Sequence, residues 1–327
     1  MTDQPTKTSW NYQPASPIPV SPLLSWPPRP LALLRWISGY WIAISSTVVE
    51  FLLAWAIFTF FQPDTAVMQT LHWGWAAQIW LRNVALVCLV AGGLHLWLYS
   101  WARQGKKLKF EHRGQADKNR AFTFSNQVRD NMFWTLASGV TVWTAFEVLY
   151  FWAAANGYAP GLRFAEAPIW FALWFVLIPI WTSFHFYWVH RLLHWPPIYT
   201  SVHALHHRNV NVGPWSGLSM HPVEHLIYFT NIAIHFVVPS HPAHVLFHFY
   251  VQGLNPLLSH SGFDGIVAGD RKRFEAGDFF HQLHHRYFEC NYGTAEVPWD
   301  AVFGSFHDGS EEATQATRAR KKRMYAK

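Results

Sequence analysis

Four long apolar segments occupy the chain up to Val189, and each is long enough to cross a membrane. They end at Phe61, Trp101, Ala155 and Val189. A helix needs about 20 residues to cross the hydrocarbon core of a bilayer. The pattern therefore predicts an all-α integral membrane protein with a bundle of four transmembrane helices. Arg35 lies near a segment end where its charge reaches the interface, whereas Glu50 and Arg82 are expected to face the bundle interior.

The pattern is different on either side of these segments. Residues 1–30 are rich in proline, which interrupts helices, and predict a mobile arm on the surface. Residues 226–259 are apolar but contain Pro239, Pro242 and Pro256, so we expect a re-entrant or interfacial helical hairpin. The expected organisation is an arm (1–30), four transmembrane helices (31–189) with a basic loop at 102–131, a histidine-rich helical cap (190–308) and a basic tail (309–327).

Composition supports the membrane assignment. Charged residues make up 13% of the chain and hydrophobic residues 51%, whereas soluble domains carry about 25% charged residues. The chain has 20 tryptophans, a residue enriched at membrane–water interfaces. Cys88 and Cys290 form neither a Cys-x-x-Cys pair nor a disulfide framework.

The distribution of basic residues predicts the orientation. The loop "RQGKKLKFEHRGQADKNR" contains seven Lys and Arg residues, and the loop "NGYAPGLRFAE" contains one. Basic loops stay in the cytoplasm, so four crossings place both termini and everything after Val189 on the cytoplasmic side. A bacterial inner membrane is favoured, or the endoplasmic reticulum in a eukaryote. The tail "RARKKRMYAK" suits an anionic membrane surface, and no nucleic-acid partner is expected because no aromatic-basic binding module accompanies it.

Histidines are concentrated in the second part of the chain, where 17 of the 20 fall between His185 and His307. Three short motifs, "HRLLH", "HALHH" and "HQLHH", space them by three or four residues. Residues with that spacing share one face of a helix. Each motif is therefore expected to direct its imidazoles to one point.

Such clustering indicates metal binding. A buried imidazole costs free energy unless its nitrogens have partners, and the eight histidines of the motifs exceed the four ligands of a structural zinc ion. Imidazole suits zinc, copper and iron, so the residues alone predict a dinuclear site without choosing the metal. A metal transporter is less well supported because the motifs follow the last apolar segment. A zinc hydrolase is less well supported because no His-Glu-x-x-His motif is present.

The three motifs, followed by "NYG" at residues 291–293 and "WDAVFGSF" from Trp299, resemble the fatty acid hydroxylase / sterol desaturase superfamily of integral-membrane di-iron enzymes over residues 165–308. The resemblance implies two iron ions, O2 as co-substrate and an active site at the cytoplasmic end of the helices. It implies hydroxylation of a lipid C–H bond, with desaturation as the alternative. Electrons are expected from a separate ferredoxin or cytochrome b5 type protein with its reductase. The lipid is left open among sterols, fatty acyl chains, sphingoid bases, ornithine lipids and carotenoids.

The resemblance also implies the metal ligands. These are His190, His194, His203, His206, His207, His221, His260, His281, His284 and His285. Ser259 departs from the family, in which many members have Asn before the histidine at 260. Glu224 is expected to accept a hydrogen bond from a ligating imidazole, and His225 and Asn291 are expected in or beside the ligand shell.

Overall fold

The computed structural model describes residues 10–41 and 43–325, which are mostly helical. The main helices are α1 (Pro30–Trp41), α2 (Ser46–Phe60), α3 (Trp73–Ser100), α4 (Gln127–Ala155), α5 (Pro168–Leu193), α6 (Ala204–His207), α7 (Pro222–Tyr228), α8 (Pro242–Ser259), α9 (Phe279–Tyr287), α10 (Trp299–Phe303) and α11 (Glu311–Tyr325). Short helical turns occupy Pro22–Leu24, Thr65–Met68, Pro196–Ile198, Tyr199–His203, Pro214–Leu218 and Phe229–Phe236. One antiparallel hairpin pairs β1 (Ile266–Ala268) with β2 (Arg271–Phe274).

Three helices in the described part of the chain, α3, α4 and α5, are long and apolar enough to cross a membrane. The prediction of a fourth span before Phe61 is wrong as a continuous helix. This apolar segment is divided into α1, with 12 residues, and α2, with 15 residues. The physical reason lies at Ser45, whose side-chain oxygen accepts a hydrogen bond from Val48 N at 3.3 Å and starts a new helix. The orientation that assumed four crossings stays a prediction.

The N-terminal arm is packed against the body of the protein over its described residues. Tyr12 donates a hydrogen bond to Asp264 at 3.2 Å, and Ile18 N donates to Asp308 O at 2.7 Å. Trp10 meets Phe279 edge to face, with ring centroids 5.2 Å apart. These contacts differ from the mobile arm that the prolines predict, because aromatic residues between the prolines supply packing surface.

The proline-containing apolar region forms two helical parts, as its prolines predict, although Pro256 lies inside α8. Helix α8 is buried along most of its length and packs against α2 and α5. His235 bonds Ser240 Oγ at 2.7 Å and His248 at 2.9 Å, and Asn231 Nδ2 donates to the same His248 at 3.0 Å. These histidines connect the two parts. A re-entrant or interfacial position for them stays a prediction.

The side chains of Glu50, Arg82 and Glu147 in the apolar helices are largely buried. Arg82 of α3 forms an ion pair with Glu147 of α4, whose second oxygen accepts a hydrogen bond from Asn83 at 3.1 Å. Glu50 of α2 is 2% exposed. Their burial agrees with the expectation that Glu50 and Arg82 face inward, and the ion pair joins α3 to α4.

A close backbone contact fixes the segment that precedes α7. Gly217, in the turn Pro214–Leu218, faces the carbonyl of Pro256 in α8, and a Cβ atom there would lie 2.2 Å from Pro256 O. Only glycine permits this approach. The contact positions the carbonyl oxygens of Leu218 and Ser219, which accept hydrogen bonds from His225 and His206.

We expect Gly217→Ala to destabilise the protein by about 1–3 kcal/mol, because either α8 or the turn must shift to make room for the methyl group. The measurement is the melting temperature of the protein in detergent. Gly93→Ala is the matched control, since nothing lies within 4 Å of its Cβ position, and it should leave the melting temperature unchanged or raise it. Equal melting temperatures for Gly217→Ala and the native chain would contradict the close contact.

Candidate metal centre

The first histidine motif lies at the end of a long helix. His190 is in the last turn of α5, and His194 caps its C-terminus. His190 Nδ1 lies 2.7 Å from the carbonyl oxygen of Tyr292. A carbonyl oxygen only accepts hydrogen bonds, so Nδ1 carries the proton and the lone pair of Nε2 is directed away from Tyr292.

The second motif is fixed to α4 by the two residues that follow it. Arg208 forms an ion pair with Asp130. Asn209 Oδ1 accepts hydrogen bonds from Gln127 at 3.0 Å and from Asn131 at 2.9 Å, all of them buried. These contacts hold His203, His206 and His207 in place.

Two imidazoles of this motif are oriented by the segment around the start of α7. His203 Nδ1 lies 2.7 Å from Glu224 Oε1, and His206 Nδ1 donates to Ser219 O at 3.3 Å. The role of Glu224 as partner of a metal-binding histidine stays a prediction. Burial raises the pKa of Glu224 to about 8 and lowers the pKa of His203 to about 3.

The third motif lies on α9, which begins where the Asp278 carboxylate accepts a hydrogen bond from Phe280 N at 2.9 Å. His281, His284 and His285 follow on consecutive turns. His284 Nδ1 donates to Cys290 O at 2.6 Å. Cys290 thus takes part through its backbone, and its thiol is not needed for this contact.

The predicted ligands converge in two groups. In each group the candidate ligand atoms lie within 4.8 Å of one another, and every member is buried. Group one consists of His190, His194, His203, His207 and His284, and group two consists of His206, His260, His281 and His285. His206 and His207 are adjacent in sequence and belong to different groups, so the two groups share one helical turn.

The converging imidazole nitrogens are better suited to binding metal ions than to forming hydrogen bonds with one another. His190, His260 and His284 each direct Nδ1 to a backbone carbonyl, at 2.7, 2.8 and 2.6 Å, which leaves each Nε2 with a lone pair and no proton. His260 Nε2 lies 3.1 Å from His281 Nε2 and 3.0 Å from His285 Nε2. One lone pair accepts one good hydrogen bond, whereas a cation accepts lone pairs from several nitrogens.

In group one, too, one nitrogen lies close to more imidazole nitrogens than it can hydrogen-bond. His207 Nε2 lies 3.0 Å from both His194 Nε2 and His284 Nε2, while Nδ1 of His194 and Nδ1 of His207 have no hydrogen-bond partner among the described residues. Burial and the neighbouring imidazoles lower the pKa of His207 and of His284 well below the ordinary value. The rings are neutral at pH 7, which is the form that binds metal.

Three residues expected at the site lie outside both groups. His221 Nδ1 accepts a hydrogen bond from Val223 N at 3.2 Å and caps α7. The ring of His225 is held between Ser138 Oγ at 2.9 Å and Leu218 O at 3.1 Å.

Asn291 has a backbone φ of 52°, which Asn tolerates better than most residues. Its side chain donates to Phe280 O and to His307 O and accepts a hydrogen bond from His307 N. Asn291 therefore supports the loop behind α9.

Asp300 is a supporting residue that the sequence reasoning missed. Its carboxylate accepts hydrogen bonds from Tyr292 N and Gly293 N, both at 2.8 Å, and from Ser305 Oγ at 2.6 Å. These bonds hold the Tyr292 carbonyl against His190. The signal was present, since Asp300 lies in the "WDAVFGSF" motif and Tyr292 in "NYG".

The position of Ser259 also has a structural explanation. His260 Nδ1 lies 2.8 Å from Pro256 O and 3.1 Å from Ser259 Oγ. The backbone carbonyl supplies the acceptor that orients the ring. The Ser in place of the family's Asn therefore leaves the second nitrogen of His260 with a partner.

A cavity of about 210 Å³ opens onto the two groups. Its apolar wall comes from α5 and α8 and includes Val176, Ile180, Phe186, Val189, Leu193 and Val251. Five of the clustered histidines line it: His190, His203, His206, His260 and His281. Trp36 and Trp41 of α1 lie at the cavity as well. An apolar molecule in this cavity would lie beside both groups.

Comparison with known proteins agrees with this geometry. The sequence profile of the fatty acid hydroxylase family matches residues 175–305. A Delta(7)-sterol 5(6)-desaturase of Gibberella zeae is 33% identical over 139 residues, which is 42% of each chain. One from Aspergillus fumigatus is 30% identical over 175 residues, 52% of this chain and 51% of the relative. One from Saccharomyces cerevisiae is 31% identical over 121 residues, 37% and 32% of the two chains.

The matched part spans about half or less of the length of these curated relatives. No solved structure gives a significant match. The matched region nevertheless contains the three histidine motifs, the "NYG" loop and most of the "WDAVFGSF" motif, which are the parts that form the two histidine groups. Residues 175–305 are therefore similar to the fatty acid hydroxylase family and to the sterol desaturases named above.

Proposed function

We propose that this protein is a membrane-bound, O2-dependent oxidoreductase that holds two iron ions and acts on a lipid, with sterol-type desaturation as its reaction. The observation that carries the proposal is that two separate groups of buried, neutral imidazoles adjoin one apolar cavity. A cavity whose lining is mostly apolar favours a hydrocarbon skeleton. The relatives named above are sterol desaturases, and this favours desaturation over the hydroxylation that the sequence resemblance placed first.

In the proposed reaction, a CH–CH unit of the lipid, O2, two electrons and two protons give a C=C bond and two molecules of water. Two iron ions would be held by groups one and two and would supply the reduction of O2 and the oxidant that removes hydrogen. The chain's residues fix the geometry: carbonyl oxygens orient the rings of His190, His260 and His284. The apolar wall excludes water and holds the lipid in one position.

Hydroxylation is the second candidate, because the matching family is described as fatty acid hydroxylase. The same site then converts C–H, O2, two electrons and two protons into C–OH and one molecule of water. The two reactions differ in the fate of the oxygen atoms. A reaction under ¹⁸O₂ therefore distinguishes desaturation from hydroxylation.

We expect membranes that contain this protein, an electron donor and a Δ7-sterol to give a product lighter by two hydrogens, with no label from ¹⁸O₂. Mass spectrometry of the extracted lipid measures this. Product that carries one ¹⁸O atom would support hydroxylation instead. Turnover without O2, or label taken from water, would contradict both and favour a hydrolase.

We expect the purified protein to contain close to two iron ions per chain, since there are two histidine groups. His207→Asn and His260→Asn each remove the central nitrogen of one group, and each should lose at least one ion. Elemental analysis per chain is the measurement. His221→Asn is the matched control, because Asn preserves the helix cap and His221 lies outside both groups. A native chain with a single ion, or loss of metal in His221→Asn, would contradict the two-group assignment.

We expect Glu224→Ala to weaken iron binding by about 10–100-fold, the usual effect of removing a partner of a metal-binding histidine. Its oxygen contacts His203 Nδ1 at 2.7 Å. Glu224→Gln retains an oxygen acceptor and should bind iron more tightly than Glu224→Ala. Competition with a chelator measures the affinity. Equal affinity of Glu224→Ala and the native protein would show that Glu224 does not position His203.

A further inference from the structure

Two aromatic rings lie against group one outside the cavity. The ring centroid of Tyr199 is 5.4 Å from that of His194 and 5.7 Å from that of His207, and the centroid of Phe288 is 4.9 Å from His207. Both rings are partly exposed, and neither lines the cavity. They therefore separate group one from a part of the surface that the lipid does not occupy.

Helix α11 lies over one of these rings. Lys321 Nζ is 4.6 Å from the ring centroid of Phe288. Arg320 donates hydrogen bonds to Gly304 O, at 2.8 Å, and to Glu289 O. The last turns of α11 carry five basic residues, Arg318, Arg320, Lys321, Lys322 and Arg323. We call them the C-terminal basic face.

We propose that the C-terminal basic face is the docking surface for an acidic one-electron carrier protein, which delivers electrons to group one past Phe288. This inference rests on the proposed function, whose reaction consumes two electrons for each O2. A carrier with an iron–sulfur cluster or a haem is oxidised by one electron in each encounter. Two encounters supply one turnover, and the two protons come from water.

Charge complementarity favours this partner. Arg318, Lys322 and Arg323 are exposed, and the acidic residues of α11, Glu311 and Glu312, lie at its other end. A compact patch of one charge sign attracts a partner of the opposite sign and speeds association at low salt. The patch adjoins the aromatic rings over group one, so a docked carrier lies close to the metal-binding residues.

The composition of α11 argues against an anionic membrane surface as the occupant. The large apolar or aromatic residues of α11, Met324 and Tyr325, are confined to its last two positions, and residues 311–323 contain no Val, Leu, Ile, Phe, Trp or Tyr. A helix that lies in a membrane interface inserts large apolar side chains on one face. This helix is instead fastened to the protein by Arg320 and by Thr314, which is buried and contacts His307.

The test measures binding of the oxidised soluble haem domain of cytochrome b5, an acidic carrier, to the purified full chain. The variant Arg318→Glu/Lys322→Glu/Arg323→Glu should weaken binding by about 10-fold or more at low salt, because it replaces attraction with repulsion. The native affinity should fall as salt is raised. Iron content and melting temperature should stay unchanged, since these three side chains are exposed.

The matched control, Lys106→Glu/Arg120→Glu/Arg271→Glu, changes the net charge equally at exposed positions of the 102–126 loop and β2. It should retain most of the affinity for the carrier. Equal loss in both variants would overturn the proposal, since the effect would follow net charge alone. Native affinity in the α11 variant would also overturn it. If the α11 variant loses binding only to phosphatidylglycerol vesicles, the face binds lipid and the proposal fails.

A kinetic measurement adds a second readout. The second-order rate at which the reduced haem domain reduces the bound iron should fall in the α11 variant, while reduction by dithionite should not change. Unchanged reduction by the haem domain would overturn the proposal. Binding of the oxidised carrier requires no turnover, so it remains measurable if the lipid reaction fails. Failure of the docking site and failure of the proposed function are thus distinguishable.

Discussion

The two histidine groups depend on the orientation of nine buried imidazole rings, each of which must find a partner for its N–H and for its lone pair. A neutral imidazole has one N–H and one lone pair, and each is costly to bury without a partner. In His190, His260 and His284 the N–H is bound by a carbonyl oxygen, so the lone pair must point to the centre. Those oxygens come from Pro256 in the last turns of α8 and from Cys290 and Tyr292 in the loop after α9.

The sequence predicted which histidines cluster, because residues three and four apart meet on a helical turn. The expectation that each motif directs its rings to one point holds for "HRLLH" and is wrong for "HALHH" and "HQLHH", because His206 and His284 each belong to a different group from the other two histidines of their motif. Nine of the ten predicted ligands lie in the two groups, and their role as iron ligands stays a prediction. His221 has the spacing of a ligand relative to His225, but its ring is used as a helix cap, and this depends on Pro222 and on backbone geometry that spacing does not encode.

The failures of prediction have non-local or competing causes. Hydropathy alone treated residues 33–61 as one span, whereas a single serine at position 45 starts a new helix inside it. The role of Asp300 depends on a contact between a helix and a loop that precedes it, so no period in the sequence reveals it. The packing of the arm through Trp10 and Tyr12 likewise needs partners more than 90 residues away.

The carbonyl oxygens of Pro256, Cys290 and Tyr292 have a consequence for genetics. Their contribution to ring orientation belongs to the peptide backbone, so exchange of those side chains leaves the acceptor atoms in place. Substitution scanning does not detect the contribution of these three backbone acceptors, whereas a one-residue insertion or deletion in the 288–293 loop displaces two of them at once. Tolerance of length change, rather than tolerance of substitution, is the measure that marks this loop as part of the candidate metal centre.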